Sequence, residues 1–125
     1  MNRILMQYSK VVLDHLENPR NVGEMIDADS FAEVVNNACG DKIKLFIKFG
    51  DKKIISAMMK AYGCVPTISA ASFLTEWLIG KTIKEAFNLE VDELISLLEG
   101  LPRGKRHAAD LAIEALQRTL LSYKP

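Results

Sequence analysis

Two cysteines, one aspartate and one histidine are the residues of this 125-residue chain whose types and surroundings suit metal chemistry. Cys64 lies in Lys60-Ala61-Tyr62-Gly63-Cys64-Val65-Pro66-Thr67, where an alternating, strand-like run gives way to a helical one. A thiol at a helix start meets unpaired backbone N–H groups and the positive end of the helix dipole, which together favour the thiolate. Thiolate is the form that binds metals or attacks sulfur. A free cysteine is often just a small buried hydrophobe; Gly63 before it and Pro66 after it favour a functional reading instead. Cys39 and Asp41, in Ala38-Cys39-Gly40-Asp41, set a soft and a hard ligand two residues apart, on one face of an extended chain. His107 opens the last helical run, where the dipole disfavours imidazolium and leaves a neutral ring to coordinate.

Cys39, Asp41, Cys64 and His107 together offer two sulfurs, one oxygen and one nitrogen. Zinc takes such mixed sets tetrahedrally. An iron–sulfur cluster prefers more thiolate but accepts histidine, and sequence spacing does not choose between the two. The cysteines stand too far apart for a Cys-x-x-Cys redox pair. A cysteine-dependent enzyme, with Cys64 as nucleophile and His107 as base, ranks below metal binding because nothing marks a substrate or an oxyanion site. His15, the other histidine, falls mid-helix and reads as structural.

Composition narrows the class. Sixteen basic residues balance sixteen acidic ones, so the chain lacks the net basic face that nucleic-acid binding requires. With 49% apolar and 26% charged residues, it has the make-up of a globular protein with a real core, and the length suits one domain over residues 1–125. Two cysteines make no disulfide framework, which points to cytoplasmic thiols or ligands. No apolar run approaches the roughly 20 residues of a membrane span, and Met1-Asn2-Arg3-Ile4-Leu5-Met6 turns polar too soon for a signal peptide.

The positioning elements follow from periodicity. Ile4 to Glu17 reads as one helix, with Tyr8, Val11, Val12 and His15 or Leu16 on a shared face, ended by Asn18-Pro19. A polar linker leads to a first strand over Phe31–Val35. Lys42 to Phe49 is the clearest strand, with Ile43, Leu45, Ile47 and Phe49 inward and Lys42, Lys44, Phe46 and Lys48 outward. Gly50-Asp51 turns the chain, and Ile54 to Tyr62 pairs back as a hairpin. Met58-Met59 reads as core. A helix from Pro66 to Gly80 carries Ile68, Ala71, Ser72, Thr75, Leu78 and Ile79 on one face. Two short helices, Thr82–Phe87 and Val91–Glu99, precede a last one over His107–Tyr123 with Leu111, Ala112, Ala115, Leu116 and Thr119 inward. The class is α+β, a three-stranded antiparallel sheet with an N-terminal helix and C-terminal helices packed on it.

Tyr8-Ser9, His15, Glu17-Asn18-Pro19-Arg20-Asn21-Val22-Gly23, Ala38-Cys39-Gly40-Asp41, Tyr62-Gly63-Cys64 and Thr75-Glu76-Trp77 occur in an order that resembles the IscU/NifU-type iron–sulfur cluster assembly scaffolds over nearly the whole chain. The resemblance implies a non-enzymatic scaffold or carrier that holds iron or a labile [2Fe-2S] cluster, or zinc in its place. It implies a cysteine desulfurase as sulfur source and acceptor apoproteins as recipients. Cys39 and Cys64 match two ligand cysteines, Asp41 the aspartate associated with cluster lability, and His107 the family histidine. Ala108 stands where the family has a third cysteine. Leu101-Pro102-Arg103-Gly104-Lys105 keeps only the ends of the family's Leu-Pro-Pro-Val-Lys stretch, which argues against docking of an Hsp70-type chaperone. Val65-Pro66 replaces small residues after Tyr-Gly-Cys and would stiffen that loop. The missing cysteine leaves a second reading open, a zinc-binding or regulatory module that docks on the assembly machinery without building clusters. A monomer or weak homo-oligomer fits either reading.

Overall fold

The computed structural model describes residues 5–123. In chain order it contains a 3₁₀ turn at Leu5–Gln7, α1 (Lys10–Glu17), β1 (Ser30–Val35), β2 (Lys42–Gly50), β3 (Lys53–Tyr62), α2 (Val65–Leu78), α3 (Ile83–Phe87), α4 (Val91–Leu97) and α5 (Arg106–Leu121). The sheet order is β1-β2-β3 and both pairings are antiparallel. This is the expected α+β class. Among the described residues no helix is long and apolar enough to cross a membrane.

The alternation in β2 sets the layers. Ile43, Leu45 and Ile47 are fully buried, and α2 and α5 cover the face they share. α1 packs on α2, and α3 and α4 pack on α5. Helix α2 is buried nearly all round: Ser69, Ala70, Ala71, Ser72, Leu74, Thr75 and Leu78 are all inside. Its small residues let neighbours approach closely on both sides. Their hydroxyls find partners, as when Ser69 Oγ donates to the Val12 carbonyl at 2.8 Å.

Several expectations needed correction. The helix expected over Ile4–Glu17 is two pieces. Ser9 breaks it, because its hydroxyl accepts the Val12 N–H as an N-cap and donates to the Leu98 carbonyl. Ile4 lies outside the described residues. Phe46, assigned to the wet face, is buried at 8% exposure, because Phe31 on β1 stacks over it at 4.8 Å between ring centroids. Met58 points to that same outer face and is only half-buried, whereas Met59 is core. Ile79 is the exposed C-cap of α2 rather than part of its inner face. The β2–β3 connection is a two-residue turn in which Asp51 (φ 51°) and Lys52 (φ 67°) both lie in the left-handed region. Thr82 and Glu85 form the expected capping box.

The stretch that reads as a linker does structural work. Asn21 and Gly23 exchange backbone hydrogen bonds with Met59, at 2.8 and 2.9 Å. At the other end of β3, Gly80 and Lys81 do the same with Ile54, at 2.8 Å each. The outer edge of β3 is therefore capped at both ends, which removes a template for strand addition.

His15 is structural, as expected, and its surroundings make it pH-sensitive. It is 3% exposed, with Nδ1 2.7 Å from Ser72 Oγ. That same oxygen accepts the Arg20 backbone N–H at 2.8 Å. Ser72 Oγ thus bridges the His15 ring and the Arg20 backbone, and the other ring nitrogen, Nε2, lies 3.8 Å from Glu76. Burial, aided by the Arg20 charge, holds the His15 pKa below its ordinary value, while Glu76 and Asp14 oppose the shift. The unfolded chain takes up this proton near pH 6.5 and the folded chain only at lower pH. This contribution to stability is therefore complete above about pH 6.5 and is lost as pH falls from there toward the folded pKa. Urea midpoints taken from pH 7.5 to 5 are expected to fall in that window, by at most about 1.4 kcal/mol per pH unit from this group. The slope should flatten in His15→Asn, and an unchanged slope would refute the assignment.

Candidate functional site

Three chain segments meet at one end of the sheet. The β1–β2 loop closes on itself: the Asn36 N–H donates to the Asp41 carbonyl at 2.8 Å, and Gly40 N–H to the Asn36 carbonyl at 2.7 Å. This places Cys39 exposed near the loop tip and Asp41 buried at 3% exposure where β2 begins. β3 ends at Tyr62, and Gly63 turns the chain into α2 with Cys64 as N-cap. Val65 and Pro66 form the first turn of that helix rather than a stiffened loop. The first turn of α5 brings in His107.

Asp41 is the hub. Its Oδ2 accepts the Thr67 hydroxyl at 2.7 Å and the Cys64 thiol at 3.3 Å, and lies 3.5 Å from His107 Nε2. Cys64 Sγ is 3.7 Å from the same Nε2. One carboxylate oxygen of Asp41, Cys39 Sγ and one His107 ring nitrogen all lie within 4.8 Å of one another. The fold thus assembles two overlapping trios, Cys39–Asp41–His107 and Cys64–Asp41–His107. All four residues singled out by type are brought together.

The details fix orientation and charge. Burial pushes the Asp41 carboxyl up, but bonds from Thr67, Cys64 and Cys39 and from the Cys64 backbone outweigh it and hold the group below its ordinary pKa. Asp41 is therefore a carboxylate at neutral pH. His107 Nδ1 lies 3.3 Å from the Gly104 carbonyl, which can only accept, so Nδ1 carries the hydrogen. In a neutral ring the Nε2 lone pair then faces Cys64 and Asp41, the orientation that metal-ligating histidines take. Cys64 Sγ makes no capping bond to its own helix and turns instead to Asp41, Thr67 and His107.

These spacings can be compared with a metal polyhedron. Ordinary zinc bond lengths give tetrahedral edges of about 3.6 Å for S–N and S–O pairs and about 3.4 Å for an O–N pair. The observed edges are 3.7, 3.3 and 3.5 Å for Cys64–His107, Cys64–Asp41 and Asp41–His107. A cation bound by these three side chains needs shifts of only a few tenths of an ångström.

Sequence reasoning missed Thr67 here, and took Gly63 only as a sign that Cys64 is functional. Gly63 has φ +137°, and a Cβ built on it would lie 2.1 Å from Asp41 Oδ1. The carboxylate packs against the bare glycine Cα. Thr67 is fully buried and reaches both Asp41 and Cys64. The local signal for Thr67 was its place three residues after the N-cap, where both side chains stand over one turn. Ala108 is also fully buried, behind His107, and adds no donor.

An antiparallel three-stranded sheet, helices on one face, and a mixed thiol–carboxylate–imidazole pocket at the strand ends define a small α+β domain built around one polar cluster. The profile of the NifU-like N terminal domain matches residues 7–125, and the chain belongs to that family. It is 41% identical over 116 residues to the iron-sulfur cluster assembly scaffold protein IscU 1 of Archaeoglobus fulgidus, covering 93% of this chain and 76% of that protein. It is 42% identical over 123 residues to the IscU scaffold protein of Escherichia coli K12, covering 95% of each. The crystal structure of FiSufU from Fervidobacterium islandicum AW-1 superposes with a TM-score of 0.73 at 22% identity, covering 93% of this chain and 98% of that one, a likeness of fold.

Proposed function

We propose that this chain is an iron–sulfur cluster assembly scaffold that holds iron or a labile [2Fe-2S] cluster as cargo and passes it to acceptor proteins. The observation that carries the reading is the tetrahedral spacing of Cys64, Asp41 and His107, with Cys39 exposed beside them. The scaffold names of relatives at 41–42% identity support it. Cys39, Asp41, Cys64 and His107 are the cargo ligands. Asp41 and Cys64 sit on fixed backbone at strand and helix ends, while Cys39 rides the loop that faces solvent. With Ala108 in place of a third thiolate, oxygen and nitrogen complete the set, and this harder ligation with fewer thiolates makes an iron–sulfur cargo easier to give up. Sulfur arrives from a cysteine desulfurase and leaves with the cluster, so the chain carries cargo and turns nothing over.

The same pocket supports a second reading, favoured by the single shared carboxylate and the missing thiol: a zinc-binding module that docks on the assembly machinery. Anaerobic reconstitution with ferric iron and sulfide separates the two. Iron and acid-labile sulfide in equal, stoichiometric amounts, with sulfur-to-iron charge-transfer absorption, are expected. One tightly held zinc per chain, with no sulfide retained, would overturn the scaffold reading in favour of the module.

A further inference from the structure

We propose that Thr67 is the positioning residue of this site: its hydroxyl holds Asp41 in place as an oxygen ligand. The inference rests on the scaffold reading and adds a residue to it. Thr67 is fully buried, so its hydroxyl has no water to turn to. It has one proton and two acceptors within reach, Asp41 Oδ2 at 2.7 Å and Cys64 Sγ at 3.2 Å.

The first contact fixes the carboxylate. Asp41 Oδ1 is wedged against Gly63, and Oδ2 is the oxygen that faces Cys64 and His107. The Thr67 hydroxyl makes the shortest of the bonds that set the carboxylate rotamer; the Cys64 and Cys39 thiols and the Cys64 backbone supply the rest. Residues that hold a metal ligand in orientation through one hydrogen bond are typically worth about 10–100-fold in metal affinity.

A carboxylate oxygen carries two lone pairs, so Oδ2 can keep the Thr67 hydroxyl on one while the other faces a cation, and the buried donor keeps its partner in both states. Thr67 stands at the third helical position of α2, with Cys64 as N-cap, and the Val65-Pro66 first turn keeps the two in register.

Cobalt titration of the metal-free chain, read by d–d and sulfur-to-cobalt absorption, tests this without a cluster. Thr67→Val is expected to weaken cobalt binding about 10–100-fold, and Thr67→Ser to restore it to near the wild-type value. In an Asp41→Ala background the same Thr67→Val change should cost under about twofold, because the hydroxyl acts through the carboxylate. Urea unfolding of each variant, with Thr67→Ala as a second deletion, checks that the fold persists. Thr67→Val binding like wild type, failure of serine to rescue, or an equal loss in the Asp41→Ala background would each overturn the role of Thr67. Wild-type chain that binds no cobalt, or binds it equally well as Asp41→Ala, would overturn the ligand assignment itself and this inference with it.

Discussion

Gly63→Ala is expected to weaken zinc binding by about 100-fold or more and to destabilise the fold at the same time. Two separate causes add. The φ of +137° is one that L-residues rarely adopt, and holding a side chain there costs about 1–3 kcal/mol. The new methyl would then lie 2.1 Å from Asp41 Oδ1, 2.6 Å from Cγ and 3.1 Å from Cβ. The whole carboxyl group must move, since the obstacle is not the far end of a flexible chain. Asp41 is where Thr67, Cys64 and His107 converge, so its displacement undoes every contact of the hub. Zinc titration and urea unfolding of the one variant read both effects. Wild-type affinity with a wild-type urea midpoint would show that the packing of Asp41 on Gly63 does not matter.

Cys64→Ala should separate those effects. Cys64 is half-buried and caps α2 without a side-chain hydrogen bond to the helix, so truncating it removes no cap. Its stability is expected to fall by only about 1 kcal/mol, the loss of one thiol donor to the Asp41 carboxylate. Metal affinity, by contrast, should fall more than about 100-fold, because a ligand contributes more than the groups that only orient ligands. Cobalt bound to the variant should also lose most of its sulfur-to-metal absorption, leaving Cys39 as the one thiol. Retained affinity with the full absorption would exclude Cys64 from the ligand set.

The sequence showed most clearly what is local. Ile43, Leu45 and Ile47 alternate within one strand, and Thr82 with Glu85 closes a cap within one turn, so neither needs a distant partner to be recognised. The four ligand candidates were legible because cysteine, aspartate and histidine declare their chemistry by type. What escaped depends on partners far along the chain. Phe46 looks like a misplaced apolar residue until Phe31 is paired across the sheet and stacked on it. Ser9 sits inside a helical pattern between Tyr8 and Lys10, and its capping role shows only with the Val12 N–H and Leu98 carbonyl in view. Thr67 owes its place in the site to Asp41, 26 positions earlier in the chain. Gly63 marks Cys64 as functional in the sequence, but its packing against the Asp41 carboxylate shows only in the fold.

The pocket is assembled across long loops: 23 positions separate Asp41 from Cys64, and 43 separate Cys64 from His107. An unfolded chain does not hold these donors together, so cargo that binds the folded pocket binds the native state alone. Cargo is then a thermodynamic brace for the whole domain, raising its stability by about 2.7 kcal/mol when free metal exceeds the dissociation constant 100-fold. Linkage makes the relation reciprocal. Whatever prises the first turn of α5 from the end of the sheet carries His107 away from Asp41 and Cys64, and so weakens the grip on cargo by the same free energy that cargo lends to the closed form. On the proposed scaffold reading, a recipient that engages that corner would discharge the chain mechanically, without competing for a single ligand.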